Sequence, residues 1–308
     1  MVKPRITVVI PAFNEAALIG ATIDSVKKQT LNQKYYEILV VDNNSTDDTA
    51  KIALSKGARV VKETKKGYVQ AVSRGAEEAR GEIIAYIDAD CRARPDWLKR
   101  LVEHFEKDPS LDAVGGIFSF FDATKFMDFW AWVTIPLNWH LIGGNYAIKK
   151  ASLKRIGGFD KSVNFSQDVR LTLVLKEKGK FLIDKSLFVE TSVRRFEENL
   201  FGTLYKYLMN DLSLVVFRRP MWYDFSDVRP GRKYQDLLKM PIFRFGAMIA
   251  AFLLAVTLIA LPTLTSAKSP IYKGVQNIRD TYTQMANAVG QRVKDVATYP
   301  GTKKPRHD

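Results

Sequence analysis

Strand and helix signals alternate through the first 120 residues, and few folds accommodate that pattern. Ile6-Thr-Val-Val-Ile10 is a run of mostly β-branched residues that reads as a buried strand. Glu15–Lys28 places Ile19, Ile23 and Val26 on one helical face. Glu37–Val41 reads as the next strand, and Ser45-Thr-Asp-Asp48 as a capping box for a helix to about Ser55. Ala58–Lys62 then reads as strand, Val69–Ala79 as helix, Ile83–Ile87 as strand, Asp96–Lys107 as helix and Ala113–Phe120 as strand. Such alternation predicts an α/β fold with a mostly parallel sheet covered by helices. In open sheets of this kind ligands bind outside the carboxyl ends of the strands. Polar clusters fall at three of those ends: Asn14-Glu15, Asp42-Asn43-Asn44 and Asp88-Ala89-Asp90. One crevice is therefore expected to collect all three.

Beyond residue 120 the pattern changes. Residues 121–216 read as a second half of the same domain. An aromatic stretch carries Phe126, Phe129, Trp130, Trp132 and Trp139, and its Asp128, Pro136, Asn138 and His140 argue against a membrane span. Gly143-Gly144-Asn145 and Gly157-Gly158-Phe159-Asp160 are loop signals. A helix at 168–178, strands near 181–183 and 187–192, and an amphipathic helix at about 199–216 follow. Residues 217–244 are basic and contain Pro220 and Pro230, as a juxtamembrane linker would. Phe245–Leu264 is twenty residues without a charge. A helix of that length covers about 30 Å, the thickness of a bilayer core. It is read as one C-terminal transmembrane helix, with a buried core helix as the alternative. In residues 265–308, Ile271, Val275, Ile278, Tyr282, Met285, Val289, Val293 and Val296 recur at helical spacing, giving a basic amphipathic tail.

The net charge of +14 suits a polyanionic partner. Nucleic acid is one class, but the chain has no zinc-ligand spacing, no aromatic RNA-binding signature and no helix with a clustered basic face. Many of the charges flank the predicted span, so an anionic membrane surface accounts for them more simply. Five Lys/Arg precede the span within twenty residues and three follow it, which orients the N-terminal side to the cytoplasm. The single cysteine, Cys91, permits no intrachain disulfide and fits a reducing compartment. The N-terminal apolar run is too short for a signal-peptide core.

Asp88 and Asp90 follow an apolar strand and sit in one turn. Two carboxylates so placed can hold Mg²⁺ or Mn²⁺, hard cations that prefer oxygen ligands. Alone, an Asp-x-Asp is more often a pair of solvated turn residues. Here it has company. Val9-Ile-Pro-Ala-Phe-Asn-Glu15, Val40-Val-Asp-Asn-Asn-Ser-Thr-Asp-Asp48, Lys66-Gly67, Arg74-Gly75, Ala79-Arg-Gly-Glu82 and Ile87-Asp-Ala-Asp90 succeed one another in order. This series resembles the family 2 glycosyltransferases of GT-A fold, over roughly residues 5–200.

The resemblance implies roles for matching positions. Pro11, Ala12, Phe13 and Glu15 would line the nucleotide base and ribose, and Asp42 would hydrogen-bond the base. Lys66 and Gly67 would lie beside the donor. Asp88, Ala89 and Asp90 would form the donor and metal turn, with Asp90 the metal ligand and Asp88 toward the ribose. Gly144 and Asn145 would meet the acceptor, together with Gln167. Asp168 would be the base that deprotonates the acceptor hydroxyl, giving inversion at the anomeric carbon. Gln167 stands where the family usually has Glu. Taken by itself, Asp168 is also a helix N-terminal carboxylate favoured by the macrodipole.

Processive members of the family carry Gln-x-x-Arg-Trp near Ser192-Val-Arg-Arg-Phe196. Ser192 and Phe196 depart from that pattern, which speaks against processive polymer synthesis. Arg194 and Arg195 are candidates for the donor diphosphate, since guanidinium matches phosphate geometry; a solvated basic turn is the alternative. His140 as a third metal ligand competes with plain packing. A nucleotidyltransferase would carry a Gly-rich loop after the first strand, and this chain has none there. The sequence thus predicts a metal-dependent enzyme moving one sugar from a UDP- or GDP-sugar. The predicted acceptor is membrane-associated, a polyprenyl phosphate or lipid-linked glycan.

Overall fold

The computed structural model is described over residues 4–122, 140–194 and 200–220. The aromatic stretch at 126–139, Arg195 and Phe196, the linker beyond 220, the predicted span 245–264 and the tail 265–308 lie outside the described residues. Among the described residues no helix is long and apolar enough to cross a membrane.

The chain runs β1 (Ile6–Ala12), α1 (Ile19–Lys27), β2 (Tyr36–Asp42), α2 (Thr49–Ser55), β3 (Arg59–Lys62), α3 (Tyr68–Glu78), β4 (Ile83–Tyr86), β5 (Cys91–Ala93), α4 (Trp97–Lys107) and β6 (Ala113–Phe120). It continues through β7 (Tyr146–Lys149), α5 (Lys150–Arg155), α6 (Gln167–Lys178), β8 (Phe181–Thr191) and α7 (Leu200–Phe217). All eight strands join one sheet in the order β3-β2-β1-β4-β7-β6-β8-β5. The β3-β2-β1-β4 half is parallel, as the alternation predicts. The other half is mixed: β7 is antiparallel to both β4 and β6, and β5 to β8. Four of the seven pairings are parallel, β6 with β8 among them, so the sheet is mostly parallel with its antiparallel pairings confined to this half. Short β5 and β7 carry too few residues to show a period, and pairing alone makes them strands.

β1 is buried on both faces, and its side chains divide between two cores. Ile6, Val8 and Ile10 pack with Ile19, Ile23 and Val26 of α1 and with Trp97, Leu98 and Leu101 of α4. Val9 packs the other way, with Val69 and Val72 of α3 and Leu171 and Leu175 of α6. Each fully buried Ile or Leu contributes about 1.5–3 kcal/mol of transfer free energy. Pro11 lies beyond the β1–β4 ladder, which closes with the Ile87 N–H on the Val9 carbonyl, so its missing N–H breaks no pairing.

Three local readings are corrected. The capping box at 45–48 does not form: Asp48 makes no side-chain cap bond, and Asp47 accepts from the Thr49 N–H and hydroxyl instead. The first helix begins at Ile19 rather than at Glu15, because Asn14 takes a left-handed conformation (φ 55°) and the following residues form a turn. The strands expected near 181–183 and 187–192 are one strand, β8. It pairs with β6 in two registers separated by an irregularity between Gly115 and Ile117.

Candidate active site

β4 ends at Tyr86, and the chain turns sharply through Asp88-Ala89-Asp90 into β5. The turn is clamped from behind. The Thr22 hydroxyl of α1 donates to the Ala89 carbonyl at 2.7 Å, and the Cys91 N–H donates to the Asp88 carbonyl at 3.1 Å. Asp90 is only 7% exposed, so its charge needs a partner. Arg194 supplies one: Nη2 donates to Asp90 Oδ2 at 3.1 Å and to both Glu15 carboxylate oxygens at 2.5 Å. Burial works against the guanidinium charge, but Glu15 and Asp90 more than offset it and hold Arg194 ionised. Cys91 pairs with Thr191 across β5 and β8, and this brings Arg194 to the turn from more than a hundred residues away.

Asp88, Asp90 and Cys91 offer one ligand atom each within 4.8 Å of one another. The Cys91 thiol is buried and lies 3.7 Å from Asp90 Oδ1. A thiol is a soft donor, so the two carboxylates are the pair that suits a hard divalent cation. His140 is not part of the cluster, and its Nδ1 lies 2.6 Å from the Leu141 carbonyl.

Opposite the turn stands Asp168, in the first turn of α6. Its Oδ2 accepts from the Gly143 N–H at 2.7 Å, and its Oδ1 from the Val169 N–H at 2.9 Å. Gly143 and Gly144 link it to the acidic turn. A Cβ on Gly144, whose φ is 79°, would sit 2.8 Å from the Asp88 carboxyl carbon. Tyr68, on the first turn of α3, donates its hydroxyl to Asp88 Oδ1 at 3.2 Å. Burial first, then the charges of Asp88 and Asp168, push the Tyr68 hydroxyl well above its ordinary range, so it remains a donor.

The donor-side residues gather at the ends of β1 and β2. Lys66 Nζ lies 5.2 Å from the centroid of the Phe13 ring. Asp42 is buried, and its Oδ1 accepts from the Ser45 N–H at 3.2 Å. Ala12, at the strand end, accepts the Asn43 N–H at 2.8 Å. Asn43 reaches across to the Lys66-Gly67 loop. Its amide donates to the Glu63 and Lys65 carbonyls and its Oδ1 accepts from the Gly67 N–H at 2.8 Å. The ends of β1, β2 and β4 and the N-termini of α3 and α6 thus come together around these residues.

Residues 7–156 match the family model described as Glycosyl transferase family 2. The chain carries a glycosyl transferase family 2 domain. The glycosyltransferase AglE of Haloferax volcanii is 34% identical over 119 residues, which is 37% of this chain and 39% of that protein. An uncharacterized glycosyltransferase of Mycobacterium tuberculosis is 35% identical over 150 residues, 46% of this chain and 61% of that protein. The chain thus spans between about two fifths and three fifths of these relatives. The mannosyltransferase PcManGT of Pyrobaculum calidifontis, solved with GDP-Man and Mn²⁺, shares the fold with a TM-score of 0.58. It is 22% identical, over 96% of this chain and 88% of that one.

Within the family 2 domain and the residues that follow it, some expected contacts are displaced. Asn145 is fully buried: it accepts from the Trp97 indole N–H at 2.9 Å and donates to the Ile117 and Leu187 carbonyls. Its side chain ties three elements together and has no donor left for an acceptor. Gln167 is 4% exposed, and its amide faces Val163 and Asp160 rather than the crevice. Both side chains are tied into the fold by these bonds, and the acceptor contacts expected of them stay expectations. Glu15 spends its carboxylate on Arg194. Tyr68 escaped the sequence reading, and Asn43 was noted only as part of a polar cluster, without its bonds to the Lys66-Gly67 loop. Their one signal was position, flanking Lys66-Gly67 and following Asp42.

Proposed function

We propose that this chain is an inverting, metal-dependent glycosyltransferase that moves one sugar from a nucleotide-sugar to an acceptor hydroxyl. The observation that carries the reading is the pairing of Asp88 and Asp90 with Asp168 across the Gly143-Gly144 link. Support for the donor class comes from the nucleotide-sugar and Mn²⁺ bound by PcManGT and from the glycosyltransferase relatives. Asp90, with Asp88 beside it, would hold Mg²⁺ or Mn²⁺. A divalent ion bound there supplies positive charge to a departing nucleoside diphosphate.

The residues divide the remaining work. Phe13 and Lys66 present an aromatic face and a cation to the donor, and Asp42 stands at the base end. Arg194 is a second phosphate-directed cation, released from Glu15 and Asp90 as the donor's own charges arrive. Tyr68 fixes the Asp88 rotamer. Asp168, its two oxygens aligned by backbone N–H groups, takes the proton of the acceptor hydroxyl as that oxygen attacks the anomeric carbon. We place the acceptor at a membrane, as a lipid-linked glycan, whose hydroxyl Asp168 would deprotonate, or as a polyprenyl phosphate, whose ionised phosphate oxygen would attack without giving up a proton. The charge-free stretch 245–264 and its basic flanks support a single-pass anchor with the catalytic domain on the cytoplasmic side.

The test is a thermal-shift screen of nucleotide-sugars with Mn²⁺ or Mg²⁺, followed by transfer assays on the positive donors. Asp90→Ala is expected to abolish metal-dependent donor stabilisation. Asp168→Asn is expected to keep donor stabilisation and to lower transfer by about a hundredfold or more. Full transfer by Asp168→Asn removes it as the base. Turnover on soluble acceptors alone removes the membrane-bound acceptor.

A further inference from the structure

α6 and α7 lie side by side and run in the same direction. Asn210 bonds to Ser166 just ahead of α6, Leu214 packs with Val169 and Leu173, and Arg218 pairs with Glu177 in the last turn of α6 at 3.2 Å. Their carboxyl ends therefore meet. At that shared end Phe217 is 70% exposed, the highest value among the exposed large apolar side chains of the described residues, and Val215 is exposed beside it. Arg218 and Arg219 follow Phe217 in the chain and are exposed, as are Lys176 and Lys178 on either side of Glu177.

The tip has a defined cap. Arg218 takes a left-handed conformation (φ 59°), and its N–H donates to the Leu214 carbonyl at 3.1 Å, which closes the helix. The Ser213 hydroxyl donates to the Arg219 carbonyl at 2.8 Å, and Pro220 is buried. Left-handed backbone is strained for a residue other than glycine or asparagine. The cap that holds it leaves Phe217 and both arginines facing solvent.

A phenylalanine and a valine are too small a patch for a stable protein interface, which buries about 800 Å² on each partner. The surface of an anionic bilayer fits them better. Its phosphates attract Lys and Arg, and its headgroup–acyl boundary takes an aromatic or aliphatic side chain. We propose that the shared carboxyl end of α6 and α7 is the surface by which this domain docks on an anionic phospholipid bilayer. Phe217 and Val215 enter the boundary, and Arg218, Arg219, Lys176 and Lys178 meet lipid phosphates. The inference rests on the membrane anchor proposed above and adds the face that the domain turns to the bilayer. A tether makes a small patch sufficient. Even fully extended, the roughly 25 residues from Pro220 to Phe245 span at most about 90 Å. Docking is then an intramolecular event at high effective concentration. Asp168 lies in the first turn of α6 and Lys176 and Lys178 in its last, so the docked end is not the end that bears the base.

The experiment places the full chain in phosphatidylcholine vesicles with and without phosphatidylglycerol. An environment-sensitive fluorophore is attached to Phe217→Cys or, as a control, to Leu54→Cys. Leu54 is exposed on α2, which packs on β3 at the far edge of the sheet, and the native Cys91 is buried and stays unlabelled. With phosphatidylglycerol the label at 217 is expected to shift to the blue and to be quenched by brominated acyl chains, while the label at 54 does neither. Adding Arg218→Gln and Arg219→Gln is expected to lower the ratio of inserted to free label about fivefold for each charge removed. A label at 217 that stays in water on vesicles that carry the protein overturns the docking surface and leaves the anchor standing. Protein that fails to co-float with either vesicle overturns the anchor, and this inference with it. An equal shift on phosphatidylcholine alone overturns the anionic surface as partner. A shift that grows with protein concentration without lipid assigns the patch to a second copy of the chain and overturns the proposal as well.

Discussion

At Gly144 a hydrogen in place of a methyl group decides the geometry of the acidic turn. Its φ of 79° is one that other residues adopt with strain, and its Cα backs onto Asp88 with a Cβ position 2.8 Å from the carboxyl carbon and 3.0 Å from the backbone N. A side chain there must push Asp88 toward the crevice or force the loop to give way. Gly143 stands next to it and donates its N–H to Asp168, so movement of the loop reaches the base as well. Gly144→Ala is expected to cost about 1–3 kcal/mol of stability and more than tenfold in transfer, because both acids shift. Gly157→Ala is the control: it has a comparable φ of 94° but no atom within 4 Å, and should lose stability alone. Equal transfer by the two variants would show that the close approach to Asp88 is immaterial.

At the scale of elements, β8 couples the two ends of the chain's acidic chemistry. Its pairing with β5 sets Thr191 against Cys91, and three residues later Arg194 closes on Asp90. Arg194→Gln leaves a buried Asp90 without its cation. The variant should be less stable without metal and gain more from Mn²⁺ alone than wild type does, in a thermal-shift titration run without nucleotide. An identical Mn²⁺ gain in both proteins would disconnect Arg194 from the metal turn. None of this coupling was visible in the sequence. β1, β2 and β4 were legible because strands buried on both faces read as nearly continuous apolar runs. Asp88 and Asp90 were legible as a candidate metal pair because they lie in one turn of the sequence. β5 and β7 were not, since they exist through pairing. The burial of Asn145 and Gln167 was not legible, because burial is a tertiary property. Tyr68 and Asn43 act through partners that the linear order does not reveal. The two readings of β8 as separate strands mark a real feature: its two registers on β6.

Over the whole molecule, the stability of the domain should depend on acid through carboxylates that the fold keeps ionised. Asp112 joins α5 to the loop before β8, accepting from Ser152, Arg155 and the Lys180 N–H. Asp160 accepts from Ser162 and Arg170. Asp184 joins α4 to the middle of β8, accepting from Arg100, His104 and Ser186. Burial opposes the charge at Asp184, but Ser186 and His104, with Arg100, outweigh it and hold the carboxyl down at about 2. Asp112 and Asp160 are lowered by the same balance. A lowered carboxyl stabilises the fold above its unfolded value near 4, and that contribution disappears as pH falls through the folded value. The domain should therefore lose stability between about pH 4 and pH 2. Asp184→Asn carries the test. It should be less stable than wild type by about 1–2 kcal/mol at pH 7, a figure discounted for partial solvent screening. The gap should close on titration toward pH 2, when wild type has also lost the charge. Asp211 has the opposite sign, because its folded value is raised: it favours the fold most below pH 4 and loses that advantage as pH rises through about 6. Urea unfolding of Asp184→Asn and Asp211→Asn at pH 3, 5 and 8 distinguishes the two. An Asp184→Asn deficit that is constant across those pH values would assign its effect to packing rather than to charge.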